Sequence, residues 1–330
     1  MRVIKGKLEQ RIALVLALSA SAMAQAQGGT GDYPTKPVRW LVGFAPGASN
    51  DIIARLIAAR LTDAFGQQVL VDNRGGAGGV IAGEIVTKSA PDGHTLLMST
   101  TGPSVTGPLL GKRVPYRVED FTQVVTIGYS PLIIVAHPSF PPRNPRELVD
   151  YARANPGKIT WGSSGVGGSP HFALLIFQAA TGIDVTHVPY KGTAPALTDI
   201  AAGHIQAMHS SVISAEAHLV SKRLKIIGVG SQKRLAGLPD VPTFTESGIV
   251  NGDSQVWFGV ALPLGAPRAI VMKLNGAVNK VLQSPEAIKR MQDLGLEVVG
   301  GTPEAAETFV KREAAAVRQL IKLGKIRPEQ

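Results

Sequence analysis

The sequence predicts an α/β protein of two lobes around a central cleft, on three observations. Short apolar runs of strand length alternate with longer runs that carry helix caps. Two glycine- and serine-rich loops, one in each half of the chain, each join an apolar run to a helix start. Strand-like runs at 124–127 and 132–135 lie almost end to end, and another extended stretch covers 255–262. These read as two crossings between lobes: lobe 1 comprises 27–130 and 256–330, lobe 2 comprises 131–255, and the double connection is a hinge. A mature chain of about 300 residues also exceeds what one core usually holds.

The first element is a leader. Arg2, Lys5, Lys7 and Arg11 precede an apolar run from Ile12 to Leu18, and small residues then lead to Ala22-Met23-Ala24. That pattern is a secretory signal peptide over 1–26, cleaved after Ala24 or Ala26, because the run is short of the ~20 residues a membrane span needs. The chain has no cysteine, which excludes a thiolate metal site and a disulfide framework and suits a free protein in an oxidising periplasm. With the four leader bases and Glu9 removed, about +7 of the formal +10 charge remains. A modest positive field draws small anions, and no basic cluster interleaved with aromatics points to nucleic acid.

Trp40-Leu41-Val42 is the first strand run, and it enters the loop Phe44-Ala45-Pro46-Gly47-Ala48-Ser49-Asn50-Asp51. Its small residues let backbone amides approach a bound group, while Ser49 or Asn50 can cap the following helix or donate to a ligand. That helix, at about 51–65, carries Ile52, Ile53, Leu56, Ile57, Leu61 and Phe65 on one stripe, and Gly66 closes it. The runs at 69–71, 95–98, 124–127, 132–135, 205–208, 226–229 and 258–261 are of the kind buried in parallel sheets. Asn144, Pro145 and Glu147 supply a cap, a first-turn proline and a capping-box acid for a helix that stops by Asn155. Ile159-Thr160-Trp161 leads into the second loop, Gly162 to His171, where Ser169-Pro170 starts a helix that Gly182 ends. Ser284-Pro285 and Thr302-Pro303 start the last two helices.

The two loops look like halves of one anion clamp. Amides left unpaired at a helix start, with the positive end of the dipole behind them, suit a carboxylate or phosphate. Alone, the first loop also reads as an ordinary strand-to-helix turn. The second adds the uncharged donors Ser163 and Ser164. Tyr190-Lys191-Gly192-Thr193-Ala194 opens another helix at about Ala194 and is a cleft wall, with Thr193 as cap or ligand donor. A third glycine loop, 74–79, misses the dinucleotide fingerprint, and 107–112 falls one residue short of a phosphate-binding Walker loop. An enzyme alternative is a secreted hydrolase using Ser163 or Ser164 with His171. Against it, Gly162 and Val166 flank Ser164, whereas a nucleophile elbow needs glycine on both sides. His171 reads as a cleft or packing histidine. His204 and His209 lack an acidic third ligand, so no metal or other cofactor is expected.

Tyr33-Pro34, Lys36-Pro37-Val38-Arg39, Phe44 to Asp51, Asp72-Asn73-Arg74, Pro91-Asp92-Gly93, Ala154 to Lys158, His187-Val188-Pro189-Tyr190 and Leu238 to Thr243 occur here in order. In them the chain resembles the Bug family of periplasmic solute receptors, the receptors of tripartite tricarboxylate transporters, over essentially the whole mature length. The resemblance implies a two-lobed Venus-flytrap fold, type II-like, that binds a small carboxylate as a monomer and passes it to membrane permease subunits; a sensor kinase is an alternative partner. Carried onto this chain, the ligand contacts implied are Ala45, Gly47, Ala48, Ser49, Asn50, Asp51, Thr100, Thr101, Ser163, Ser164, Gly165, His171, Tyr190, Thr193, Ala194 and Ser210. Ala48 replaces the usual second glycine, Gly75 a common proline and His94 a common tyrosine. Met208-His209-Ser210 lies where many relatives have phenylalanine and aspartate. Without that acid to pair with a ligand ammonium, a simple mono- or dicarboxylate is expected rather than an amino acid.

Overall fold

The computed structural model describes residues 33–111, 113–293, 295–324 and 326. The expected signal peptide lies outside the described residues. The described residues 33–35 belong to a different unit from those that begin at Lys36.

In chain order the elements are β1 (Val38–Val42), α1 (Ser49–Phe65), β2 (Val69–Asn73), α2 (Val80–Thr87), β3 (Thr95–Ser99), α3 (Gly107–Leu110), β4 (Phe121–Ala136), α4 (Pro145–Ala154), β5 (Thr160–Ser163) and α5 (Ser169–Thr181). They continue with β6 (Thr186–Pro189), α6 (Thr193–Ala201), β7 (Ala207–Ser211), α7 (Val212–Val220), β8 (Lys225–Val229), β9 (Gln255–Pro263), α8 (Arg268–Leu282), α9 (Pro285–Asp293), β10 (Glu297–Val298) and α10 (Pro303–Lys322). A short 3₁₀ turn, Ala77–Gly79, precedes α2, and a π-helical turn, Gly102–Thr106, precedes α3. No helix among the described residues is long and apolar enough to cross a membrane.

The local signals act largely as expected. α1 buries Ile53, Ala54, Ile57, Ala58 and Leu61 along one face, and Gly66 at φ 63° returns its N–H to Thr62. Ile52, Leu56 and Phe65 flank that stripe half-buried. At α4 the Asn144 Oδ1 accepts from the Glu147 N–H at 2.9 Å, and Glu147 Oε2 accepts from Arg143 N–H at 2.8 Å. The acid thus reaches one residue before the cap. At α1, by contrast, neither Ser49 nor Asn50 caps the helix; Ala48 holds the cap position without a side-chain bond, and both polar residues sit inside the first turn.

Strand order is β2-β1-β3-β9-β4-β7-β5-β6, with β8 and β10 also paired to β4. The sixteen-residue β4 absorbs both runs expected as separate strands. From Phe121 to Pro131 it pairs with β9, and from Leu132 to Ala136 with β7 and β8. Register shifts near Gln123, Thr126 and Ile134 bend it between its two sets of partners. β1, β2 and β3 are parallel, as are β5, β6 and β7. β4, β8 and β9, however, pair antiparallel with every strand neighbour, which corrects the parallel reading of their apolar runs. The pattern reports burial on both faces, whereas direction is set by the partner strand. Around Trp161, Phe177 and Phe244 lies the core of the sheet that contains β5 to β8, while Leu41, Leu97, Phe121 and Ala261 pack on the other.

Candidate functional site

The first loop is held by a chain of polar contacts that starts at Gly47 and Asp51. Gly47 takes φ 82°, where glycine is unstrained, and donates its N–H to Asp51 Oδ2 at 3.0 Å. Asp51 Oδ1 accepts from Arg55 Nε at 2.9 Å, Arg55 Nη2 donates to Asn73 Oδ1, and Asn73 Nδ2 donates to Phe44 O. Burial pushes the Asp51 carboxyl up, but the bonds from Arg55, Gly47 and Asn73 outweigh it and hold the group below its ordinary value. Asp51 thus anchors the loop with its charge already answered.

The second loop is braced by two histidines. Ser163 Oγ lies 2.6 Å from His187 Nε2 and accepts the Gly165 N–H at 3.1 Å. His171 Nδ1 accepts the Gly167 N–H at 3.0 Å, and its ring stacks on His187 with centroids 4.2 Å apart. Burial, with His187 beside it, pushes His171 down to about 3, and burial also lowers His187. Both rings are neutral at physiological pH and serve as hydrogen-bonded spacers. The serine that meets a histidine is therefore Ser163 with His187, not with His171. No hydrogen bond joins His187 to a carboxylate among the described residues, and Ser163 is fully buried.

Between the loops lies a cavity of about 10 Å³, space for roughly one water. Its walls are Phe44, Ser49 and Asn50 from the first loop; Ser164, Ser169 and Pro170 from the second; and Thr193, Ser211, Leu132 and Val256. Four helices begin on it: α1 at Ser49, α5 at Ser169, α6 at Thr193, and α7, which Ser211 caps by accepting the Ser214 N–H at 3.2 Å. The Ser49 N–H donates to Ser214 Oγ at 2.8 Å, tying two of these helix starts together across 165 residues. Every wall residue is uncharged, while Asn50 Oδ1 and Ser164 Oγ are buried without a protein partner, as is Thr100 Oγ1 after β3. Each such group costs about 1–3 kcal/mol unless something bonds to it. Four helix starts on a space without fixed charge can stabilise a small anion there. The described residues form no group able to hold a metal ion.

Of the residues read from the sequence, Ser49, Asn50, Ser164 and Thr193 line this cavity. Thr101 lines a larger cavity beside it. Ala45, Gly47, Ala48, Asp51, Ser163, Gly165, His171 and Ala194 shape the surrounding loops instead. Tyr190 points its hydroxyl to Asp199 Oδ2 at 2.6 Å, and Ser210 Oγ donates to the Ser211 carbonyl at 3.1 Å. Leu132, Ser211, Ser214 and Val256 escaped the sequence reading. The spacing Ser211-x-x-Ser214 before a helix was the one available signal.

The third glycine loop closes the rim by backbone contact. A Cβ on Gly78 would stand 2.0 Å from the Val166 carbonyl, one on Gly102 2.1 Å from Gly78 O, and one on Gly75 2.8 Å from Lys191 O. Thr106 Oγ1 donates to Gly167 O on the same seam.

Residues 53–325 match the family described as the tripartite tricarboxylate transporter family receptor. Protein BugT of Bordetella pertussis (strain Tohama I) is 33% identical over 314 residues, covering 93% of this chain and 96% of its own. An R. palustris protein solved with adipate superposes with a TM-score of 0.86 at 33% identity, over 90% of this chain and all of that one. MatC from Rhodopseudomonas palustris, solved with bound malate, superposes at 0.84 with 30% identity, over 88% of this chain and all of that one.

Proposed function

We propose, from the premise that this chain belongs to the tripartite tricarboxylate transporter receptor family, that it captures a small mono- or dicarboxylate and delivers it to the membrane permease of such a transporter. The family consists of periplasmic solute-binding receptors, which are not enzymes. The observation that carries the ligand class is the meeting of four helix starts on one uncharged cavity. Adipate and malate in two relatives support it. We assign lobe 1 to 27–130 and 256–330 and lobe 2 to 131–255. The change of partners between Pro131 and Leu132 on β4 supports that division. Capture is then closure of two lobes about the β4 and β9 crossings, in a monomer whose leader is cleaved after Ala24 or Ala26.

The test compares an acid with its own amide. At a hundred times its dissociation constant a ligand stabilises the fold by about 2.7 kcal/mol, a melting shift of about 4 °C for a protein of this size. Malate, adipate and their monocarboxylate counterparts are the probes, and at least one is expected to give that shift. The matching amide is expected to give little, since it replaces a charged acceptor by a neutral carbonyl and a donor. Equal shifts from acid and amide, or a shift from sugars alone, overturn the anion reading.

A further inference from the structure

The π-helical turn Gly102–Thr106 is fixed by its own bonds before it meets the second loop. Its register is one of partners five residues apart: the Gly107 N–H donates to Gly102 O, and Pro108, which has no N–H, cannot bond Ser104 O as an α-helix would. Side chains five apart meet for the same reason. Ser104 Oγ lies 2.8 Å from Ser99 Oγ, which donates to Gln123 Oε1 on β4 at 3.1 Å, and Thr106 Oγ1 donates to Thr101 O at 3.0 Å. The Tyr116 hydroxyl donates to Pro103 O at 2.8 Å. Ser99, Ser104 and Thr106 are fully buried, so the turn presents Thr106 with little left to order.

The Thr106 hydroxyl has one proton and two acceptors, Thr101 O in its own turn and Gly167 O in the second loop. Gly167 is held from its other side as well, where its N–H donates to His171 Nδ1 at 3.0 Å. In sequence it lies between Ser164 and Ser169, both of which wall the anion pocket, whereas Thr106 does not. In the lobe division above, Thr106 belongs to lobe 1 and Gly167 to lobe 2. Parting the lobes strands neither group, because the hydroxyl keeps Thr101 O and the Gly167 carbonyl takes water. Bringing them together buries Gly167, and a buried carbonyl is costly unless a donor meets it. Thr106 is that donor.

We propose that Thr106 is a positioning residue for capture: its hydroxyl is a catch that engages Gly167 O when the lobes meet and holds the second loop around a bound acid without touching it. This rests on the two-lobed carboxylate reading above. It adds that part of the free energy of capture comes from a bond between the lobes, and is therefore common to every acid that fits.

The experiment is calorimetry and stopped-flow dissociation on the mature protein, with malate, adipate and their monocarboxylate counterparts, in wild type, Thr106→Val and Thr106→Ser. Valine keeps the branched shape without the hydroxyl, and serine keeps the hydroxyl. Thr106→Val is expected to weaken each acid that binds by a common factor of about fivefold or more, mostly as faster dissociation, while Thr106→Ser stays within about twofold of wild type. Unchanged affinity in Thr106→Val overturns the proposal, as does an equal loss in Thr106→Ser, which assigns the effect to packing. If the valine variant does not fold, hydrogen exchange of the wild type decides: a bound acid is expected to slow exchange in 102–107 and 162–169 together, and protection confined to 162–169 overturns the catch. If no acid binds the wild type, the carboxylate reading fails and exchange without ligand decides the catch. Faster exchange over 162–169 in Thr106→Val than in wild type and Thr106→Ser supports it, and equal exchange overturns it.

Discussion

Gly78→Ala is expected to weaken carboxylate binding by about 5- to 150-fold while the protein remains folded. A Cβ at this position would overlap the Val166 carbonyl at 2.0 Å, and a backbone carbonyl cannot rotate away as a side chain can. Overpacking of this kind costs about 1–3 kcal/mol, and a factor of ten in affinity is about 1.4 kcal/mol. Under the proposed closure of two lobes, in which these loops meet, the cost subtracts from the free energy of capture. Gly78 also has φ 63°, and the strain of alanine there burdens open and closed forms alike. Gly66→Ala separates the two effects, because Gly66 shares φ 63° but has nothing within 4 Å of its Cβ position. It is expected to lower the melting temperature and leave affinity unchanged. Titration calorimetry reads the affinity, and a thermal melt reads the stability. Equal affinity in the Gly78→Ala variant and the wild type refutes a role for this seam in capture.

Acidification is expected to destabilise the protein through its buried neutral histidines, beginning near pH 6.5. His209 on β7 is fully buried among Trp161, Phe177 and Phe244, with ring centroids 5.2 to 6.2 Å away, and neither ring nitrogen has a partner. Burial pushes it down to about 3, and burial with His187 does the same to His171. In the unfolded chain both titrate near 6.5, so between pH 6.5 and about 3 the unfolded state binds more protons and stability falls with pH. The slope is about 1.4 kcal/mol per pH unit for His209 and smaller for the half-buried His171. Asp253 and Glu313 act in the opposite sense close to pH 4, because their folded carboxyls titrate above their unfolded values. His209→Leu is expected to remove the His209 share of the slope without loss at pH 7, since it also removes two unpaired ring nitrogens. Urea denaturation at pH 7, 6 and 5 measures this, and identical slopes in variant and wild type would show that His209 is not the proton acceptor.

Local interactions in the chain determine much of this molecule. The cap at Asn144, the stop at Gly66, the proline starts at Pro145, Pro285 and Pro303, and the apolar runs of nearly every strand depend on neighbours a few residues away, and all are visible in order. So are the two glycine loops, because unpaired amides and small residues at a helix start form a local pattern. What only the tertiary structure decided depends on distant partners. Two runs became one β4 because β9 and β7 take up its two halves, and strand direction followed from those partners. Asp51 turned out to anchor its loop because Arg55 and Asn73 stand beside it. Ser163 met His187 rather than His171, since β6 and not the helix of its own loop supplies the ring within reach. Ser211 and Ser214 joined the cavity through a bond spanning 165 residues, and the Thr106 hydroxyl reached the Gly167 carbonyl from 61 residues away. No spacing rule encodes such meetings, because loop closure brings together residues whose separation along the chain carries no periodic signal.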